Sequence, residues 1–513
     1  MQMTKPSRRA LLGGAAAVAG GLALDTVVAA PARAAAARTG GPADLLPADP
    51  IAHLLRRATF GATPAGLAAA AKLGVSGWLD RQLDPAAIDD SACDAVLTRL
   101  PLAGADIATV RARSPLHSYE SFAQLGRATI ARAMWSERQL FETTAGFWAN
   151  HLHITAPAGG VWDSRADYDR DVTRRFTFGR YADLLKASAR HPAMLTYLNN
   201  RTSTKAHPNE NYARELMELH TVGMIYSEAD VLAAARLLTG LTVDRAGQYT
   251  YAASLHATGP VTVLGFSHPN ATAAGGEAAA GALFDYLARH PATAERLATK
   301  LCLRFVADVA PATLVAKLAR VYLDNDTAIV PVLRALFTSP EFAASIGQKV
   351  RTPFENQAAT VRALGLGPDP DGGVKGLDAL YYHLVDAGNA PMRWAPPDGF
   401  PDLAAAWASP SGFLLACNNH LNLATGWYPK QLARPADLVK ALVPVLPATY
   451  GALVVAVANR LIGVPLPAAH LAAVLSVAGK TPTSPLTAKE LSTNGIFPFI
   501  VALVLDSPSF QLR

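Results

Sequence analysis

The segment "PNENYARELMELHTVG" (residues 208–223) packs three glutamates, two asparagines, an arginine and a histidine into sixteen positions. On a helix, at about 100° per residue, Glu210, Asn211, Arg214, Glu215 and Glu218 share roughly 140° of one side. Tyr212, Ala213, Leu216, Met217 and Leu219 take the other side, with His220 among them. A solvated ladder of Glu210, Arg214 and Glu218 at four-residue spacing accounts for much of this charge. It leaves Asn211 and Glu215 unexplained, because asparagine is a poor helix-interior residue. If another element covers that side, desolvation raises the Glu215 carboxyl and makes it a proton donor. A second segment, "SERQLFETTAGFWANHLHI" (residues 136–154), repeats the arrangement. Leu140, Phe141, Phe147, Trp148 and Leu152 form an apolar side that includes His151, while Glu142, Gly146, Asn150 and His153 lie opposite.

Paired carboxylates suit acid–base hydrolysis. A separation of about 5 Å serves a retaining glycosidase and about 6.5–9.5 Å an inverting one. The expected catalytic set is Glu215 as general acid, Glu210 or Glu218 as second carboxylate, and Asn211 and His151 to orient substrate or water. Asn150, Arg214, Trp148 and Trp394 are the expected substrate-binding residues, with the tryptophans stacking on sugar rings. Two other readings stand beside this one. His151, His153 and nearby acids from packed helices are able to share a metal, although no HExxH motif is present. A non-catalytic helical scaffold or carrier for an exported enzyme or polymer accounts for the absence of Ser-His-Asp, GxSxG and P-loop motifs. No motif identifies a cofactor, and the absence of CxxCH argues against covalent haem.

The elements that must position these residues are helices. Of 513 residues half are hydrophobic and 17% charged, and alanine and leucine dominate, which predicts a large all-α globular fold. Residues 51–83 read as two helices, with Thr63-Pro64 starting the second. Residues 118–153 read as one long helical stretch, and 158–180 as a polar connection running into a further helix. Gly223 ends the acidic helix, and Ser227 caps the next. Residues 243–276 alternate and are rich in Gly, Thr and Val, which predicts a small β-hairpin or irregular insertion. Residues 395–407 are a proline-rich loop. The expected organisation is a main helical domain over 50–366 carrying the site, and a C-terminal helical region over 377–513 packed on it.

The N-terminus supplies an address. Arg8-Arg9 precede a modestly apolar Gly/Ala-rich stretch and the small residues around Ala32-Arg33-Ala34, the pattern of a twin-arginine signal over residues 1–34. Residues 35–49 follow as a flexible lead-in. Asp25 interrupts the apolar stretch before it reaches the roughly 20 residues of a membrane span. The expected location is therefore extracellular or in the cell envelope, as a secreted or periplasmic protein with no membrane span after cleavage. The formal charge of +6 owes a surplus of three to this segment. No basic run is interleaved with aromatics, which argues against a nucleic-acid partner. Cys93, Cys302 and Cys417 are sparse and odd in number, so they form no disulfide framework, and any single pairing is left open.

Several segments in order carry a resemblance. They are "HLLRRATFGATP" (53–64), "FWANHLHI" (147–154), "HPAMLTYLNN" (191–200), the acidic segment followed by "YSEADVLAAARLLTGL" (226–241), "HPATAERLATKLCLRFV" (290–306), "KVRTPFENQAATVRALG" (349–365) and "APPDGFPD" (395–402). In these the chain resembles the bacterial domain of unknown function 1800 family. The resemblance implies an exported, helix-rich protein and supplies no activity. It matches the family's Phe-Trp-x-Asn-His segment to Phe147, Trp148, Asn150 and His151. It also implies a gene neighbour encoding an exported sulfatase- or phosphatase-like protein, hence a partner working on an extracellular polymer or glycan. The chain departs from the family at His220, where phenylalanine is common, and at Phe400, which replaces the tryptophan of a Gly-Trp pair. The first departure shifts weight from His220 to Asn211, Glu215 and His151; the second passes any aromatic role to Phe400.

Overall fold

The computed structural model describes residues 45–487, 490–491 and 495–513. The signal segment expected over residues 1–34 and most of the lead-in lie outside the described residues. Helices dominate: 25 are present among the described residues, and strands are confined to two antiparallel pairs. The fold is all-α with a small β insertion. Leu241–Val243 pairs with Tyr249–Tyr251, and Val261–Val263 with Phe266–His268. The second pair turns tightly through Leu264 and Gly265, at φ 49° and 88°, which matches the twist of a two-residue hairpin.

Local signals account for most helix ends. Thr63 Oγ1 accepts from the Gly66 N–H at 3.0 Å and starts the Pro64–Gln82 helix, which Gly74 then kinks at φ 69°. Ser227 and Asp230 form a reciprocal capping box. The long stretch expected over 118–153 is instead two helices, Glu120–Trp135 and Gln139–His151. Asp90 causes the break: its carboxylate accepts from Ser136 Oγ at 2.8 Å and from the Glu137 N–H at 2.7 Å. Gln82 Oε1 then accepts from the Leu140 N–H at 3.0 Å. One orphan donor of the new helix is thus satisfied from a remote element, which sets its direction.

Two segments wind more loosely than an α-helix. Arg165–Tyr168 runs into a π-helix at Asp169–Arg174, and Glu210–Glu215 runs into another at Leu216–His220. Such turns are rare and concentrate at functional sites. Both contact the Gln139–His151 helix, on different faces. Arg174 reaches Glu142 at 2.7 and 2.8 Å, and the His220 carbonyl lies 3.2 Å from His151 Nε2.

The described residues form one compact unit with two apolar clusters. The first includes Trp148, Tyr181, Leu216 and Phe305. The second is built from residues of 96–134 together with residues of 358–510, so the 50–366 and 377–513 regions share it. Among the described residues no helix is long and apolar enough to cross a membrane. Cys93, Cys302 and Cys417 are all free thiols.

Candidate functional site

The Gln139–His151 helix is a strut with a working face on either side, and a loop lies across its end. Asn150 holds that loop. Its Nδ2 donates to the Phe400 carbonyl at 2.8 Å, and its Oδ1 accepts from the Phe400 N–H at 2.7 Å. Gly399 makes the approach feasible: at φ 79°, a Cβ there would stand 2.2 Å from the Asn150 carbonyl oxygen. Further along, Lys349 Nζ donates to the Asp402 carbonyl, and the Ala404 N–H donates to Asp308 at 2.7 Å. His153 Nε2 donates to the Trp394 carbonyl at 2.8 Å.

On the polar face of the helix lies a cavity of about 130 Å³ lined by Glu142, Gly146, Asn150 and His153. The segment leading into the first π-helix adds Arg165, that π-helix adds Asp169 and Arg174, and the far wall adds Arg304, Glu355 and Asp402. Most of these charges are paired. Arg174 grips Glu142 through two bonds. Burial would raise the Glu142 carboxyl, but Arg174 outweighs it and the net shift is downward. Arg304 meets Glu355 at 2.7 Å and Asp402 at 3.2 Å, and Arg513 meets Glu355 at 2.8 Å. Burial likewise opposes ionisation of Glu355, and the two guanidinium groups overcome it, drawing the carboxyl down to about 2.

On the other face, His151 is fully buried between elements. Lys300 Nζ donates to its Nδ1 at 3.1 Å, so the ring hydrogen sits on Nε2 and points to the His220 carbonyl at 3.2 Å. Tyr181 O–H donates to the same carbonyl. Burial, then Lys300, holds the His151 ring well below its ordinary pKa, and burial with Arg296 brings Lys300 down to about 8. Both ring nitrogens of His151 are occupied and His153 Nε2 faces a carbonyl. Among the described residues no group of three or more His, Cys, Asp or Glu side chains is arranged to hold a metal.

The acidic segment lies within electrostatic reach of the same loop. Glu215 is half-buried, and its carboxyl is raised by desolvation, then by Glu218 and Asp398, against Arg214. Arg214 is turned away: it binds Glu228 at 2.8 and 3.0 Å and stands 4.0 Å from Glu210. Of the expected ladder of Glu210, Arg214 and Glu218, only the Glu210–Arg214 pair is therefore present, and loosely. The π-helix at Leu216–His220 shifts Glu218 off the 100° register, and Glu218 accepts from Tyr226 O–H at 2.6 Å instead. Glu210 is 51% exposed, and Asn211, also exposed, donates weakly to the Leu198 carbonyl at 3.4 Å.

Over residues 53–512 the sequence matches a family described as a protein of unknown function, DUF1800. The chain belongs to that family. No curated protein and no solved structure matches it. In this DUF1800 chain the Phe-Trp-x-Asn-His segment does three separate jobs. Trp148 is wholly buried, donates from Nε1 to the Thr177 carbonyl at 3.0 Å and stacks on Tyr181. It offers no face to a sugar ring, which corrects its assignment to substrate binding. Asn150 clamps the loop with both ends of its amide, and His151 ties the helix to the second π-helix. Trp394 is half-buried, donates to Asp398 at 2.9 Å and packs obliquely on Phe400 at 5.3 Å, with Trp407 5.9 Å beyond. Glu215, Arg214 and Asn211 sit on the acidic helix away from the cavity. Arg165, Asp169, Arg174, Arg304 and Glu355 escaped sequence reasoning. The alternating charges of "RADYDRDVTRR" (residues 165–175) read as a solvated connection, and nothing in their order reveals that the chain buries Arg165, Asp167 and Asp169 among them.

Proposed function

We propose that this protein is an exported hydrolase of an extracellular or cell-surface polymer such as a glycan, with Glu215 as proton donor and Asp398 as its carboxylate partner. The observation that carries the reading is the setting of Glu215. It is half-buried, its carboxyl is raised by desolvation and by Glu218 and Asp398, and the nearest guanidinium is committed to Glu228. A carboxyl whose pKa is raised by burial is the better proton donor to a leaving-group oxygen, while a second carboxylate can activate water or stabilise the developing cation. Asp398 is exposed and oriented by Trp394. Trp394 and Phe400 on the same loop and Trp407 at the end of the short Ala404–Trp407 helix after it, all partly exposed, form an aromatic ledge, which suits stacking against sugar rings. The paired Arg8-Arg9 and the apolar stretch behind them support export, where an exported sulfatase- or phosphatase-like protein is the proposed partner.

The test is a polysaccharide and ester screen with the full-length protein, comparing wild type with Glu215→Gln and Asp398→Asn. The expected result is turnover of one polymer class, with kcat reduced about 10²- to 10⁴-fold by Glu215→Gln. Equal activity in the two would remove Glu215 from the mechanism. Trp394→Ala is expected to raise KM more than it lowers kcat. Polymer binding without turnover in any arm would favour the carrier reading, which the exposure of Glu210 and Asn211 supports.

A further inference from the structure

One charge in the cavity on the polar face of the Gln139–His151 helix is left without a partner. Arg174 and Arg304 are each bound to carboxylates. Arg165 is 0% exposed, its Nε donates to the Ile154 carbonyl at 3.3 Å, and its Nη1 and Nη2 meet no acceptor. The Tyr168 ring, 5.3 Å from the guanidinium carbon, compensates only part of the lost hydration. Arginine does not shed its proton in such a place, so a positive charge and two unpaired donors lie in the cavity wall. The Asp169 carboxylate lines the same cavity, 3.8 Å from Arg132 Nη1, and accepts no hydrogen bond among the described residues. Phe60, Phe354 and Met392 supply apolar wall, where a charge-assisted bond gains strength from the low local dielectric.

The geometry points to a binding site for a small hydroxylated oxyanion, with the anionic group on Arg165 and a hydroxyl donating to Asp169. The volume sets the scale. About 130 Å³ is close to the roughly 150 Å³ that accommodates a benzene-sized molecule. A small hydroxy acid fits, or the acidic end of a longer chain, whereas a whole disaccharide does not. Carboxylate, sulfate and phosphate share the chemistry Arg165 recognises, since each presents two oxygens to a guanidinium fork. The site stands apart from the hydrolase reading: it lies on the opposite face of the helix from His151, and its occupancy needs no turnover.

The experiment is calorimetric titration of the full-length protein with glycolate, sulfate and inorganic phosphate, each against chloride at equal ionic strength. Saturable binding of at least one is expected. Glycolate as the tightest would identify a carboxylate ligand, and sulfate or phosphate as the tightest an ester headgroup; either supports the site. Arg165→Lys is expected to weaken binding about tenfold or more. A second variant covers the case in which Arg165→Lys does not fold. Gly146 lines the cavity and a Cβ there meets nothing within 4 Å, so a side chain can start there without a clash, and Gly146→Leu is expected to fill the cavity and abolish binding. Glu215→Gln is expected to bind like wild type, which separates this site from the proposed acid. Absence of saturable binding to wild type, or unchanged binding in Gly146→Leu, overturns the proposal.

Discussion

Asn150 does for the 395–402 loop what a neighbouring strand does for a sheet: one amide satisfies both the N–H and the carbonyl of Phe400. The loop contributes Phe400, Pro401 and Asp402 to the cavity wall and carries Asp398 on its outer side, so this amide links both surfaces. Asn150→Ala removes two bonds and leaves two partly buried backbone groups unpaired, at a cost of about 1–3 kcal/mol. Urea unfolding is expected to register that loss, and limited proteolysis is expected to cut the loop faster. A variant as stable as wild type and equally resistant would mean that the loop is held by its other anchors alone. Asn150 was legible as a residue of interest from its motif. Its role was not, because a side chain aimed at a ligand and one aimed at a distant backbone have the same sequence signature.

At the scale of elements, the two π-helices decide what the flanking segments present. Helical periodicity assigns faces at about 100° per residue, and that assignment holds for the buried side but not for the partners made on the polar side. Buried Tyr212, Ala213, Leu216, Met217 and His220 fall where the pattern puts them, but Glu218 is diverted to Tyr226 and Arg214 to Glu228. The start of this helix is conventional. Asn209 Oδ1 accepts from the Tyr212 N–H at 3.2 Å, and its Nδ2 donates to the Leu198 carbonyl at 3.2 Å. Asn209→Ala is expected to cost about 1 kcal/mol, read as a lowered Tm. Because the cap sets where the helix begins, the same change is expected to reduce any activity that depends on Glu215. Loss of stability with activity unaltered would indicate that the π-helix and the His151 contact position Glu215 without the cap.

For the whole molecule, burial of histidine makes stability depend on pH. Desolvation brings His53 and His153 down to about 4 and His191 and His220 to about 3, and it holds His151 well below its ordinary value. These rings are neutral in the folded chain and have a pKa near 6.5 when unfolded. As pH falls below about 6.5, the unfolded chain takes up protons that the folded chain refuses, and stability drops until the folded pKa values are reached. Asp167 acts in the opposite sense: burial lifts it to about 7, so the folded chain gains from protonating it as pH falls from 7 towards 4. Glu355, at about 2, begins to lose its contribution only below its unfolded value near 4.5. Five rings against one carboxyl leave a net loss on the order of 5 kcal/mol between pH 7 and pH 5. Urea unfolding at the two pH values measures it, and a flat profile would contradict the buried, neutral state of these histidines.

The sequence by itself determined the helical class, the β insertion at residues 243–276, most caps and breaks, and the two segments that meet. These follow from backbone preferences and short-range periodicity, which act over a few residues and are written locally. It also marked the polar side of residues 136–154, which turned out to line a cavity. Only the tertiary structure decided that Trp148 is core, that Asp90 splits the long helical stretch, that Arg165 and Asp169 are enclosed, and that Asp398 comes within electrostatic reach of Glu215. Each depends on partners tens to hundreds of residues away, and the free energy of a charge is set by what surrounds it in space, which no local pattern of residues records.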